Sequence, residues 1–355
     1  MFDIRELLEL ARSKKASDIH ITVGVPPTLR INGELVETDF QRMMPPDTEA
    51  FADGLMNEKQ KQEVETSGQA DFAYSLKEFG RYRVNIFKQR GSYAATMRLV
   101  GTRIPTPEEL NIPESVVRLT DKRRGMVLVT GPTGSGKSTT LASLIDQINK
   151  KYNVHIITLE DPIEYLHRHQ KAIVNQREMG LDSVSYAQSL RAALRQDPDV
   201  ILVGEMRDLE TISIAVTAAE TGHLVFSTLH TIGAASTIDR IIDVFPPYQQ
   251  DQIRVQLASV LECVISQQLL PKADGSGRLA AFEVMHANTA IRNLVREGKT
   301  HQISSIIQTN RKSGMNTMDD YILDLYNTGK ISWENALSFA VDSAMVSRRV
   351  GGDIF

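Results

Sequence analysis

Residues 131–138 read Gly-Pro-Thr-Gly-Ser-Gly-Lys-Ser, and with their flanks they limit the fold more tightly than any other stretch of the chain. Ahead of them runs Gly125-Met-Val-Leu-Val-Thr130, apolar and rich in β-branched side chains, as a strand buried on both faces must be. Behind them Leu141, Leu144, Ile145 and Ile148 recur at helical spacing, which predicts an amphipathic helix over residues 139–150. Strand, glycine turn and helix in this order make a phosphate-binding loop. Gly131, Gly134 and Gly136 let the backbone turn tightly, so that successive N–H groups converge on an anion. Pro132, Thr133, Ser135 and Thr139 complete the cradle. Lys137 reaches the outer phosphates, the Ser138 hydroxyl can ligate Mg²⁺, and the helix N-terminus adds partial positive charge. ATP with Mg²⁺ is the expected ligand.

At 355 residues the chain has room for two domains and a sizeable core. No apolar run approaches the roughly 20 residues of a membrane span. The start, Met1-Phe-Asp-Ile-Arg-Glu, mixes acids with apolar residues and is unlike a signal peptide, so a cytoplasmic protein is expected. A net charge of −4 implies no general affinity for nucleic acid. The single cysteine, Cys263, precludes an intrachain disulfide and a multi-cysteine zinc site, and its apolar neighbours predict a packed thiol.

Residues 1–98 read as a mixed α/β domain: a helix over 3–14, a strand over 18–23, a hairpin of Leu29–Ile31 and Glu34–Val36 turning at Asn32-Gly33, and two strands over 80–88 and 93–100. The three prolines of residues 101–113 stop regular structure, so a linker is placed over 99–113. A nucleotide-binding domain over 114–286 follows, and the alternation of strands and helices from Leu128 to Leu229 predicts a parallel sheet covered on both faces. Residues 287–355 read as a helical segment.

Three later segments say more than nucleotide binding. Ile156-Ile-Thr-Leu-Glu-Asp-Pro-Ile-Glu164 ends an apolar strand in three carboxylates, where one can orient the water that attacks the γ-phosphate or hold a metal's water shell; an ordinary acidic loop, with Asp161 capping a helix, is the plainer alternative. Asp197-Pro-Asp-Val-Ile-Leu-Val-Gly-Glu205-Met-Arg207-Asp208 sets Glu205 at the end of a buried strand, suited to Mg²⁺ directly or through water; glutamate in place of the usual aspartate favours the water. Arg207 either serves this site or pairs with Asp208 or Glu210. Glu220-Thr-Gly-His223-Leu-Val-Phe-Ser-Thr-Leu-His230 carries a histidine at each end of a short strand, either as γ-phosphate sensors or as ordinary core and surface residues. Residues 81–103 hold Arg81, Arg83, Lys88, Arg90, Arg98 and Arg103 with no acid between, and Arg123 and Arg124 follow; these are arginine-finger candidates or a solvated basic face.

GPTGSGKST, ITLEDPIE, DPDVILVGEMRD and TGHLVFSTLHT, in this order, resemble the motifs of the secretion and pilus ATPase superfamily. With ASDIHITVGVPPTLRINGEL, GRYRVNIF and AIRNLVRE at 290–297, nearly the whole chain is similar to the type IV pilus retraction ATPases within it. The resemblance implies a PAS-like N-terminal domain, a RecA-like P-loop domain and a homohexamer with ATP between subunits. By motif position it implies Glu164 as the catalytic carboxylate, Glu205 as the magnesium-side acid, and His223 and His230 as a histidine box. Lys137 would act on the phosphates, with Arg81, Arg98, Arg123 and Arg124 as fingers. It further implies an inner-membrane pilus platform protein as partner, with a paralogous retraction ATPase as another, at the inner face of the cell membrane. Assembly ATPases of the superfamily often carry a four-cysteine zinc motif that one cysteine cannot supply, which favours retraction, and AIRNLVRE points the same way. An assembly or secretion motor, a nucleic-acid translocase and a non-hydrolysing scaffold are the competing classes.

Overall fold

The computed structural model describes residues 3–350 except 32, 77, 78 and 102. The chain divides into two compact units, Met1–Arg103 and Ile104–Phe355.

The first unit is α/β. Helix α1 (Ile4–Ser13) starts where the Asp3 carboxylate accepts the Arg5 N–H, and it buries Leu7, Leu8 and Ala11. Strands β1 (Asp18–Ile21), β2 (Thr28–Ile31) and β3 (Glu34–Glu37) follow, then helices α2 (Pro45–Leu55) and α3 (Glu58–Ser67), then β4 (Gln69–Leu76), β5 (Gly80–Gln89) and β6 (Ser92–Leu99). The sheet runs β3-β2-β1-β6-β5-β4 and its pairings are antiparallel. The expected β2–β3 hairpin is present, while Asn32 of its turn lies outside the described residues. α2, α3 and β4 are additions to the elements expected from sequence. α3 has the marginal composition of a polar helix, with Val64 its one buried residue, and Asn57 and Gln60 hold its start through a reciprocal capping box.

The second unit opens with α4 (Glu114–Val117) and is built on seven strands. In chain order they and their helices are β7 (Gly125–Thr130), α5 (Lys137–Lys151), β8 (His155–Glu160), β9 (Ile173–Glu178), α6 (Tyr186–Ala193), β10 (Val200–Val203), α7 (Leu209–Glu220), β11 (Leu224–Leu229), α8 (Ala234–Asp243), α9 (Pro247–Val260), β12 (Leu261–Pro271) and β13 (Arg278–His286). Helices α10 (Thr289–Arg296), α11 (Ile303–Thr309), α12 (Met318–Asn327), α13 (Trp333–Phe339) and α14 (Ser343–Val350) complete it.

The sheet order is β13-β12-β7-β11-β10-β8-β9, and the pairings are parallel except β12–β13. The strands between residues 125 and 229 pair in parallel, as expected; the antiparallel edge beyond them is a long hairpin whose two strands reverse without a helix. All six residues of β7 are buried, since both faces are covered. Met126 and Leu128 enter one core with α6 to α10, and Val127 and Val129 the other with α5, as a period of two requires. Cys263 lies in the second core, where burial pushes its thiol pKa up and leaves it inert.

Between its parallel strands, strict alternation of strand and helix fails at β8 and β9. β8 joins its parallel neighbour β9 through residues 161–172, which form no helix. The three carboxylates lie at the start of this irregular crossover, so Asp161 caps no helix.

A candidate nucleotide cleft

The phosphate loop is held open from below. Gly131, Gly134 and Gly136 have φ of 141°, 77° and 88°, a region that glycine alone enters freely. A Cβ on Gly131 would stand 2.2 Å from the Gln267 carbonyl oxygen. The Lys137 ammonium is buried and donates to the Gly131 and Pro132 carbonyls at 2.9 and 3.0 Å. Burial lowers its pKa, and the charges of Glu205 and Glu164 oppose that. Ser135 Oγ is buried without a hydrogen-bond partner among the described residues. A cradle that excludes Cβ atoms, holds a lysine and keeps an unused hydroxyl fits a polyphosphate.

Around it lies a cleft of about 330 Å³ lined by residues including Thr133, Lys137, Ser138, Glu164, Glu205 and His230. It collects at the carboxyl ends of β7, β8, β10 and β11, where parallel sheets hold their ligands. The three carboxylates of the first acidic segment take different positions. Glu160 is half-buried, accepts from Thr158 at 2.6 Å and Gln176 at 2.9 Å, and has its pKa raised by desolvation. Glu164 is exposed on the cleft wall.

Both carboxylate oxygens of Glu205 are engaged. Arg207 contacts one oxygen at 2.7 Å and His230 Nε2 the other at 3.2 Å. Burial acts to raise its pKa, but the Arg207 hydrogen bond and the positive neighbours prevail and hold it below the usual carboxylate range. Arg207 therefore pairs with Glu205, not with Asp208 or Glu210. Asp208 caps α7, and Glu210 meets Arg191. His230 Nδ1 stands 3.4 Å from Thr133 Oγ1, so one imidazole links the phosphate loop to Glu205. Ser138 and Glu205 both line the cleft, and this donor set suits Mg²⁺.

Other expected residues are elsewhere. His223 precedes β11, where its ring contacts the Ala218 carbonyl at 2.9 Å. A six-residue strand rises about 20 Å, so its two flanking histidines cannot share one phosphate, and within the chain His223 is not at the cleft. Arg123 and Arg124 are exposed just before β7, likewise at the far end from its loop. Arg81 and Arg98 lie on β5 and β6 of the first unit, where Arg98 holds Asp18 at 2.7 Å. Arg292 of α10 does not face outward as a partner surface. It donates to the Ala258 and Ser259 carbonyls at 2.6 and 3.0 Å and to Glu262 at 3.1 Å, while Arg296 and Glu297 are exposed. Arg292→Ala should cost about 1.5–3 kcal/mol in denaturant unfolding, because charged hydrogen bonds are lost and Glu262 loses a partner. Arg292→Lys should not restore it, since an ammonium lacks the guanidinium fork.

Sequence reasoning passed over Gln267, Tyr165 and His167. Tyr165 Oη meets Thr139 Oγ1 at 3.1 Å. His167 lines the cleft, has a buried Nδ1 without a partner among the described residues, and burial lowers its pKa to about 4. Below about pH 6.5 the unfolded chain binds a proton that folded His167 refuses, so stability falls with pH until about 4, where both states bind it. At about pH 5.5 the loss is about 1 kcal/mol, and His167→Gln should remove that part of the pH dependence of denaturant unfolding.

A family model described as "Type II/IV secretion system protein" matches residues 107–276. The chain is 47% identical over 334 residues to the Pseudomonas aeruginosa "Type IV pilus retractation ATPase PilT", covering 94% of this chain and 97% of that one. It is 46% identical over 346 residues to a "Twitching motility protein" of Neisseria gonorrhoeae, covering 98% and 92%. The crystal structure of the pilus retraction motor PilT with bound ADP superposes with a TM-score of 0.92 at 50% identity, covering 98% of this chain and 100% of that one. Phosphate loop, carboxylate-rimmed cleft and near-complete alignment agree: the chain is an ATPase, and it belongs to the PilT family of type IV pilus ATPases.

Proposed function

We propose that the protein is the motor for type IV pilus retraction, working as a homohexamer against an inner-membrane pilus platform protein. What carries the reading is one cleft that brings Glu164, Glu205 and His230 to the phosphate loop, in a chain whose near-full-length relatives are named for pilus retraction and twitching motility. Lys137 leaves the loop carbonyls for the β- and γ-phosphates. Glu164 orients and deprotonates the attacking water. His230 exchanges Thr133 for the γ-phosphate and passes the change to Glu205, which is a sensor's position. Ser138 would hold Mg²⁺ directly and Glu205 through water, because both Glu205 oxygens already have side-chain partners. The metal, when bound, neutralises charge on the transferring phosphoryl group. Arg81, Arg98, Arg123 and Arg124 would serve a neighbouring chain's nucleotide, as would His223, which with Arg123 and Arg124 lies at the opposite end of the strands from the phosphate loop.

The test is the amount of surface pilin in the source organism carrying Glu164→Gln. Excess, unretracted pili are expected. A bald cell would mean an assembly motor and overturn the proposal.

A further inference from the structure

The two ends of the phosphate loop meet one residue from a strand far away in sequence. Gln267, in the middle of β12, is buried. Its Nε2 donates to the Ser135 carbonyl at 2.7 Å, and its Oε1 accepts from Thr140 Oγ1 at 2.8 Å. Its backbone oxygen occupies the space a Gly131 Cβ would need, and its Nε2 stands 2.9 Å from where a Gly136 Cβ would be. The loop is thus wrapped over this one residue.

That contact has a directional consequence. In a trans peptide the C=O and the following N–H point opposite ways. Pinning the Ser135 carbonyl onto Gln267, beneath the loop, turns the Gly136 N–H away from β12, into the concave side. The Thr140 hydroxyl fixes which end of the carboxamide faces the carbonyl. We infer that Gln267 is a positioning residue for the ATPase reaction: its carboxamide presets the 135–136 peptide so that its N–H meets the nucleotide's phosphates. This rests on the nucleotide cleft described above.

An N–H aimed at phosphate serves ground state and transition state alike, so its loss should appear in KM and not in kcat. Gln267→Met keeps the volume and removes the donor. For this variant the Kd for ADP with Mg²⁺, by calorimetry, should rise about 10-fold, with KM for ATP rising alike and kcat changing less than about 3-fold. Unchanged Kd and KM in a folded variant, beside wild-type protein that binds ADP, would overturn the inference and leave the cleft assignment intact. Wild-type protein that binds no ADP would overturn the cleft assignment instead.

Gln267→Glu gives a readout that simple packing does not move. As a neutral acid it can still donate to Ser135 and accept from Thr140; as a carboxylate it repels the carbonyl. Its Kd for ADP relative to wild type, measured on protein shown to be folded at each pH by its nucleotide-free melting transition, should worsen as pH rises from about 6 to about 8. A ratio that stays flat across that range would overturn the inference even if the methionine variant fails to fold.

Discussion

Glu164→Gln is expected to cut ATP turnover by about 10²–10⁴-fold while ATP affinity stays within a few-fold. The side chain is exposed on the cleft wall and the exchange is isosteric, so neither packing nor the phosphate loop should change. What disappears is the negative charge that can align and deprotonate a water. Turnover with phosphate release, measured beside binding of a non-hydrolysable triphosphate, separates the two effects. Near-normal turnover would remove Glu164 from the chemistry and return attention to Asp161 and Glu160 on the same crossover. Glu160 is the poorer candidate, because Thr158 and Gln176 already engage it.

Gly131→Ala is expected to abolish nucleotide binding and destabilise the fold. A φ of 141° is nearly closed to alanine, a strain of order 1–3 kcal/mol. The new methyl carbon would stand 2.2 Å from the Gln267 oxygen and 2.8 Å from Ser135 Oγ, and overpacking of this kind costs about 1–3 kcal/mol more. Denaturant unfolding and ADP calorimetry on the variant check both parts. Gly134→Ala is the contrast: its Cβ position is open, so only the positive φ opposes it. Wild-type stability and binding in Gly131→Ala would mean that the loop can leave β12, against the arrangement described here.

The sequence was most informative where one residue type has one mechanical use. The glycines and lysine of 131–138 specified a loop between a strand and a helix, and the uninterrupted apolar runs at 125–130 and 200–203 specified strands covered on both faces. The first helix, expected over 3–14, runs Ile4–Ser13, with Asp3 just outside it as the cap. No element was expected over residues 40–76, where short helices of low amphipathicity depend on capping and tertiary contact. His223 and His230 flank one strand, which separates its ends by its whole length, and of the two His230 lines the cleft of its own chain.

Residues near in sequence therefore determined the phosphate loop, the strand before it, the helix after it and the acids that follow the later strands, because these follow from local geometry and periodicity. The tertiary structure alone decided which carboxylate faces the cleft, that Arg207 and His230 share Glu205, that Arg292 turns inward, and that Gln267 supports the loop. The Gln267 contact joins residues 132 positions apart. No local propensity encodes such a pairing; it exists only because β12 and β7 lie side by side in one sheet.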